Sequence, residues 1–136
     1  MREGWVIKKL SDVSHKMFAG GDKPKVFSDI PNEMCNIPIY ANGVINNGLY
    51  GYTDKAIVNE KCLTISARGT IGFCCVRNEP FVPIVRLITI IPSNSIDVKY
   101  LYYVLSNMEI ENNGVAIPQL TIPMLNKYNI PVPPLV

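Results

Sequence analysis

Histidine is almost missing from this 136-residue chain: His15 is the only one, and it sits beside Lys16 in a polar stretch. A lone imidazole leaves little room for a Ser/His/Asp or Cys/His arrangement, and a solvated side chain explains it better than a general base. The four cysteines, Cys35, Cys62, Cys74 and Cys75, contain no C-x-x-C pair, so a zinc site is poorly supplied and free, mostly buried thiols are expected. Cys74 and Cys75 would point to opposite faces of a strand. There is no G-x-x-x-x-G-K-[ST] phosphate loop and no G-x-G-x-x-G fingerprint, and Gly69-Thr70-Ile71-Gly72 is too short to imitate either. Glu-x-Lys strings and paired loop carboxylates that would hold magnesium are also lacking. These absences together predict a non-catalytic domain.

Long apolar runs are missing too. The longest, 81–92, is interrupted by Pro83, Arg86 and Thr89 and falls short of the roughly 20 residues that span a bilayer. The N-terminal Met1-Arg2-Glu3-Gly4-Trp5 has no apolar signal core, so a soluble, cytoplasmic protein with no membrane partner is expected. Net charge is only +2. A nucleic-acid partner would therefore have to meet basic residues gathered on one face.

What is present is enough for one domain with its own core, since 48% of the residues are hydrophobic. Trp5 to Leu10 alternates weakly and leads into cap-type residues, Ser11-Asp12-Val13-Ser14, that fit a short helix or turn. Ile37-Pro38-Ile39-Tyr40 reads as a short strand, placed at an edge because proline removes a ladder donor. Cys62–Ala67 and Thr70–Arg77 read as a hairpin turning at Arg68-Gly69, and 82–91 as one further, largely buried strand. Val98, Leu101, Tyr102, Leu105 and Met108 keep helical spacing behind Asp97 as N-cap. Thr121, with Pro123 in the first turn, opens a second, short helix that ends near Lys127 or Tyr128. The three prolines in Ile130-Pro131-Val132-Pro133-Pro134-Leu135-Val136 force an extended tail.

The binding equipment is richer than the catalytic. Ala19-Gly20-Gly21-Asp22-Lys23-Pro24-Lys25 is a wet loop whose Lys23 and Lys25 could meet a nucleic-acid backbone or simply keep the loop soluble. Arg68, at a sheet edge, suits a phosphate, though a hairpin-turn arginine in water would look the same. Tyr40, Asn42, Asn46, Asn47, Tyr50 and Tyr52 form the densest run of hydrogen-bonding side chains; they could read base edges or sugars, or serve as turn formers and sheet surface. Gln119, in the loop 114–121 ahead of the second helix, could meet an adenine edge or satisfy backbone groups. Tyr100, Tyr102 and Tyr103 are better explained as packing.

Taken in order, Trp5…Lys9-Leu10-Ser11-Asp12-Val13, Ile37-Pro38-Ile39-Tyr40, Thr64-Ile65-Ser66-Ala67-Arg68-Gly69-Thr70-Ile71-Gly72, Tyr100-Leu101-Tyr102-Tyr103-Val104-Leu105, Ile117-Pro118-Gln119-Leu120-Thr121 and Ile130-Pro131-Val132-Pro133-Pro134-Leu135 give the chain a family likeness. It resembles a target recognition domain of the specificity subunit of a type I restriction-modification system. The resemblance implies an α+β fold with a curved, mixed β-sheet, one main amphipathic helix and short helices. It implies sequence-specific binding of double-stranded DNA, with Arg68 and Thr70 inside the matching string. Methyltransferase and restriction subunits would be partners, and S-adenosylmethionine, ATP and magnesium would be bound by them, not here. Residues 1–136 would be a single recognition domain, half of or a fragment from a two-domain subunit, without the long spacer helix, and a second specificity half could join it. The reading set against it is a non-catalytic protein-interaction or carbohydrate-binding module using the same Asn/Tyr face; a small nuclease with unfamiliar motifs is a third.

Overall fold

The computed structural model describes residues 3–108 and 119–134. Positions 114–118 of the second candidate loop, and Leu135 and Val136 of the tail, lie outside the described residues. Strand β1 (Val6–Lys9) leads through a 3-10 turn (Leu10–Val13) into β2 (Ser14–Ala19). Next come β3 (Ile37–Tyr40), a 3-10 turn (Ile45–Gly48), β4 (Leu49–Thr53), β5 (Cys62–Ile65) and β6 (Cys74–Arg77). The two-residue β7 (Val82–Pro83), β8 (Ile88–Pro92), helices α1 (Val98–Ser106) and α2 (Ile122–Asn126), and β9 (Asn129–Val132) complete the order.

The strands form an antiparallel four-stranded sheet in the order β2-β8-β5-β6, a three-stranded sheet β4-β3-β7, and the pair β1-β9. The α+β architecture is as expected, and the parallel pairing that makes it mixed lies between β3 and β7. Strands β5 and β8 occupy the middle of the larger sheet and are covered on both faces, which accounts for their near-continuous apolar sequence. On one face Leu63, Ile65, Cys74, Ile88 and Ile90 pack with Leu101 and Leu105 of α1, Leu125 of α2 and Leu10. On the other, Cys62 and Ile91 pack with Val58 and Phe81.

The helices follow their sequence signals. The Asp97 carboxylate accepts hydrogen bonds from the Lys99 and Tyr100 amides at 3.0 and 3.3 Å, satisfying two donors the first turn would leave open. Val98, Leu101 and Leu105 then face the core. Thr121 caps α2 by accepting from the Met124 amide. The Tyr100 hydroxyl donates to the Pro131 carbonyl at 2.6 Å and its ring meets Trp5 edge-on, fastening α1 to the β1-β9 pair. The packing role of Tyr100 is thereby explained.

Three strand readings are corrected. First, β3 lies between β4 and β7, not at an edge. Its proline is tolerated because Tyr52, its partner in register, exchanges both backbone hydrogen bonds with Ser28 on the opposite side. The N–H that Pro38 lacks would face the other way, one position before β7 begins to pair.

Second, β5 and β6 end at Ile65 and begin at Cys74, leaving loop 66–73 where a tight turn was expected. Ser66 closes that loop: its hydroxyl donates to the Thr70 carbonyl and accepts from the Phe73 amide. Gly69, at φ 69°, supplies the left-handed residue at the tip.

Third, 82–91 is two strands separated by a turn at 84–87, where the Leu87 amide donates to the Ile84 carbonyl at 3.1 Å. Val85 and Arg86 both have positive φ, 51° and 69°, the signature of a type I′ turn. Such a conformation is unusual for any residue with a side chain and more so for a β-branched one. Gly20 makes it possible. The backbone there runs so close to β7 that a Cβ would lie 2.6 Å from the Pro83 carbonyl carbon and oxygen. Across the gap the Gly20 amide donates to Leu87, while the Gly21 and Gly20 carbonyls accept from Val85 and Arg86 at 2.7 and 2.9 Å.

Gly20→Ala should therefore cost about 2 kcal/mol or more, the scale of an overpacked contact with no flexible neighbour to yield. Urea unfolding that leaves the midpoint unchanged would show that the two segments can part freely. The thiols supply a second expectation. Burial pushes Cys62 and Cys74 up from an ordinary 9.0 to about 12, so both should resist alkylation near pH 8 until denaturant is added. Because the folded-state values are the higher ones, their contribution to stability is complete below about pH 9 and is lost as pH climbs toward 12. Melting temperatures recorded from pH 8 to 11 should fall along that window, and a flat profile would contradict it.

Candidate functional site

The turn 84–87 and the loop 66–73 present two exposed arginines, Arg86 and Arg68, which both line a groove of two adjoining parts. One part, about 490 Å³, is walled by Gly20, Gly21, Asp22, Lys23, Val85 and both arginines. The adjoining part, about 350 Å³, shares the arginines and runs on to Gln119, Thr121 and Pro123 at the start of α2. Two guanidiniums and an ammonium face one carboxylate here, so the groove favours an anion. Its described lining holds no histidine or cysteine and only Asp22 as an acid, a set that can grip and orient but offers no general acid-base pair. Among the described residues no three His, Cys, Asp or Glu side chains gather to hold a metal ion.

Arg68 is positioned from several directions. Ala67, just before it, is fully buried; its amide donates to Asn42 Oδ1 at 2.8 Å and its carbonyl accepts from the Leu120 amide at 2.8 Å. Arg68 Nη2 then donates to Gln119 Oε1 at 3.3 Å. Residues 51 apart in sequence are thus brought together. Asn42 also donates from Nδ2 to the Val85 carbonyl at 2.6 Å, so its carboxamide spans from the Arg68 loop to the Arg86 turn. Both ends of the group are committed within the protein.

The other candidates are placed differently. Lys23 lines the groove, with its ammonium 4.2 Å from the centre of the Phe27 ring, and Tyr50 packs against the same ring at 5.6 Å. Lys25 is exposed on the same loop but outside the groove lining. Thr70 is exposed at the tip of loop 66–73.

Tyr40 and the Asn47 backbone meet Arg77, which the sequence reading did not single out. Its guanidinium lies 3.7 Å from the Tyr40 ring centre and donates to Thr64 Oγ1 and the Asn47 carbonyl at 2.9 and 2.7 Å. Burial pulls Arg77 below its ordinary value, opposed by the nearby Cys75 thiol and by Tyr40, and an arginine so placed keeps its charge. Asn46 and Asn47 occupy the left-handed region, φ 52° and 58°, a conformation asparagine tolerates better than most residues. Their backbone serves the turn, while their side chains belong to exposed residues.

Arg86 is the groove residue that sequence reasoning missed. Its signal was present as a charge inside an otherwise apolar run, just beyond Pro83, and was read only as an interruption of that run.

Comparison with known proteins agrees with this architecture. A family model described as the type I restriction modification DNA specificity domain matches residues 2–136. The putative type I specificity subunit S.MpnORF89P of Mycoplasma pneumoniae is 35% identical over 127 residues, covering 93% of this chain and 38% of that protein. The putative type I specificity subunit S.MpnORF507P of the same organism is 31% identical over 98% of this chain and 37% of its own length. The chain thus spans well under half of these curated relatives.

Solved structures share the fold. A chain from work on complex assembly and conformational transition of the type I R-M system superposes with a TM-score of 0.79 at 20% identity, over 99% of this chain and 35% of that one. The specificity subunit from M. genitalium gives 0.72 at 19% identity, over 93% of this chain and 34% of that one. With the family model spanning nearly every residue, the chain belongs to the type I restriction modification DNA specificity domain family.

Proposed function

We propose that this domain reads a sequence in double-stranded DNA as the specificity component of a type I restriction-modification complex, directing methyltransferase and endonuclease subunits that make and break the bonds. Family membership supports the role, and the groove flanked by Arg68 and Arg86 is the observation that carries it to this chain's own residues. Bound S-adenosylmethionine, ATP and magnesium belong to the partners in this reading. A second recognition half, supplied in the same polypeptide or by another copy, completes a split site, and the complex works in the cytoplasm.

The division of labour within the groove follows from chemistry. Guanidiniums form paired hydrogen bonds with phosphate oxygens and so fix register on the duplex without reading sequence. Gln119, braced by Arg68, is the side chain best placed beside them to meet a base edge, where a good bidentate contact gives roughly 1 to 3 kcal/mol of discrimination.

Arg68→Ala and Arg86→Ala should each weaken binding to all duplexes alike, by about tenfold, near the ~1.5 kcal/mol of a charged hydrogen bond. Each should also make the dependence of log affinity on log salt shallower by about 0.9. Gln119→Ala should relax the preference found by selection from randomised duplexes. Binding that ignores salt and prefers a sugar or a protein surface would replace this reading with the interaction-module alternative.

A further inference from the structure

We propose that Asn42 is a positioning residue: its carboxamide ties the Arg68 loop to the Arg86 turn and thereby sets the spacing at which the two arginines meet a DNA backbone. The inference rests on the DNA reading above but assigns Asn42 a different task from the base contact its sequence suggests.

The geometry is specific to this side chain. Oδ1 accepts from the Ala67 amide, one residue before Arg68, and Nδ2 donates to the Val85 carbonyl, one residue before Arg86. Asn42 is 25 residues from the first partner and 43 from the second, so the contacts join segments that chain connectivity leaves far apart. A short side chain needs both a donor and an acceptor to do this. Aspartate would lose the donor, serine would not reach both partners, and alanine would leave the buried Ala67 amide with no acceptor from this position. Asn42 itself is held at the end of β3, where the adjacent Ala41 amide donates to the Gly48 carbonyl at 2.9 Å.

Each arginine also has an anchor of its own: Leu120 bonds the Ala67 carbonyl, and Gly20 and Gly21 hold the Val85-Arg86 turn. Those anchors fix the backbone beside each arginine against its own neighbours. Pairing of β5 with β8, Ile65 opposite Ile88, sets the two segments side by side, and Asn42 adds the side-chain tie between their outer parts. Two cations contribute more to a rigid polyanion when their separation is fixed beforehand than when each must be ordered separately on binding.

The test begins with the free protein. In Asn42→Ala the Ala67 amide should exchange with solvent at least about tenfold faster while the central amides of β5 and β8 keep their protection. Unchanged exchange at Ala67 would overturn the proposal. On a labelled random-sequence duplex at low salt, Asn42→Ala should bind about tenfold more weakly, with a salt slope shallower by about one. In an Arg68→Ala/Arg86→Ala background the same substitution should cost nothing further, because it acts through those two groups. A loss that persists in that background sinks the proposal, as does an altered base preference with an unchanged salt slope, which would make Asn42 a base contact. Failure of the DNA reading looks different: the unmodified chain would show no salt-dependent binding, and the exchange measurement would still decide whether Asn42 holds the Ala67 amide.

Discussion

Because no side chain separates Gly20 from Pro83 and Ile84, three backbone hydrogen bonds cross that gap and hold Val85 and Arg86 where neither residue would settle alone. Two left-handed residues cost roughly 1 to 3 kcal/mol each. The three crossing bonds, together with the one from Asn42, return about 1 kcal/mol apiece, enough to make the turn tenable and not enough to make it incidental. The same approach joins the loop after β2 to the connection between β7 and β8. The two larger sheets and the groove between their loops are thus organised by a contact whose essential chemical feature is a missing methyl group.

Much of the fold was legible, and the legible parts share a cause. Helix α1 is specified twice over, by apolar spacing and by an aspartate cap, and α2 by a threonine cap followed by proline. These signals are local, so one sequence displays them in full. The turn at 84–87 shows none of them. Valine and arginine carry no left-handed preference, and the glycines that impose the conformation lie more than 60 residues earlier in the chain. Pro38 misled for a related reason: proline forbids one hydrogen bond, and only the Ser28–Tyr52 pairing reveals which side of the strand could spare it. Arg68 and Gln119 were legible as candidates within two of the ordered family strings, whereas Asn42 offered only its residue type and not the two backbone groups it would bridge.

Three arginines show how burial divides the work of one residue type. Arg68 and Arg86 keep their forks in water, where partners can be exchanged at little cost. Arg77 is 6% exposed and must satisfy its donors inside the protein, on Thr64, on the Asn47 carbonyl and against Tyr40. Desolvating a cation is expensive, and neutral dipoles with an aromatic face offset only part of the expense. In return the Asn46-Asn47 turn is pinned to β6 by a group too costly to leave unpaired. A charge that no ligand can reach thus shapes the surface that carries exposed asparagines.

The pairing of β1 with β9 has a consequence for how such a unit can be handled by evolution or by an engineer. Val6 stands opposite Val132, so the path into the fold and the path out of it run side by side as one two-stranded ribbon. Segments attached at either end meet the same doorway whatever loops lie beyond it. A neighbouring scaffold could therefore exchange one interior for another, with new reading chemistry, and register no change in its own geometry.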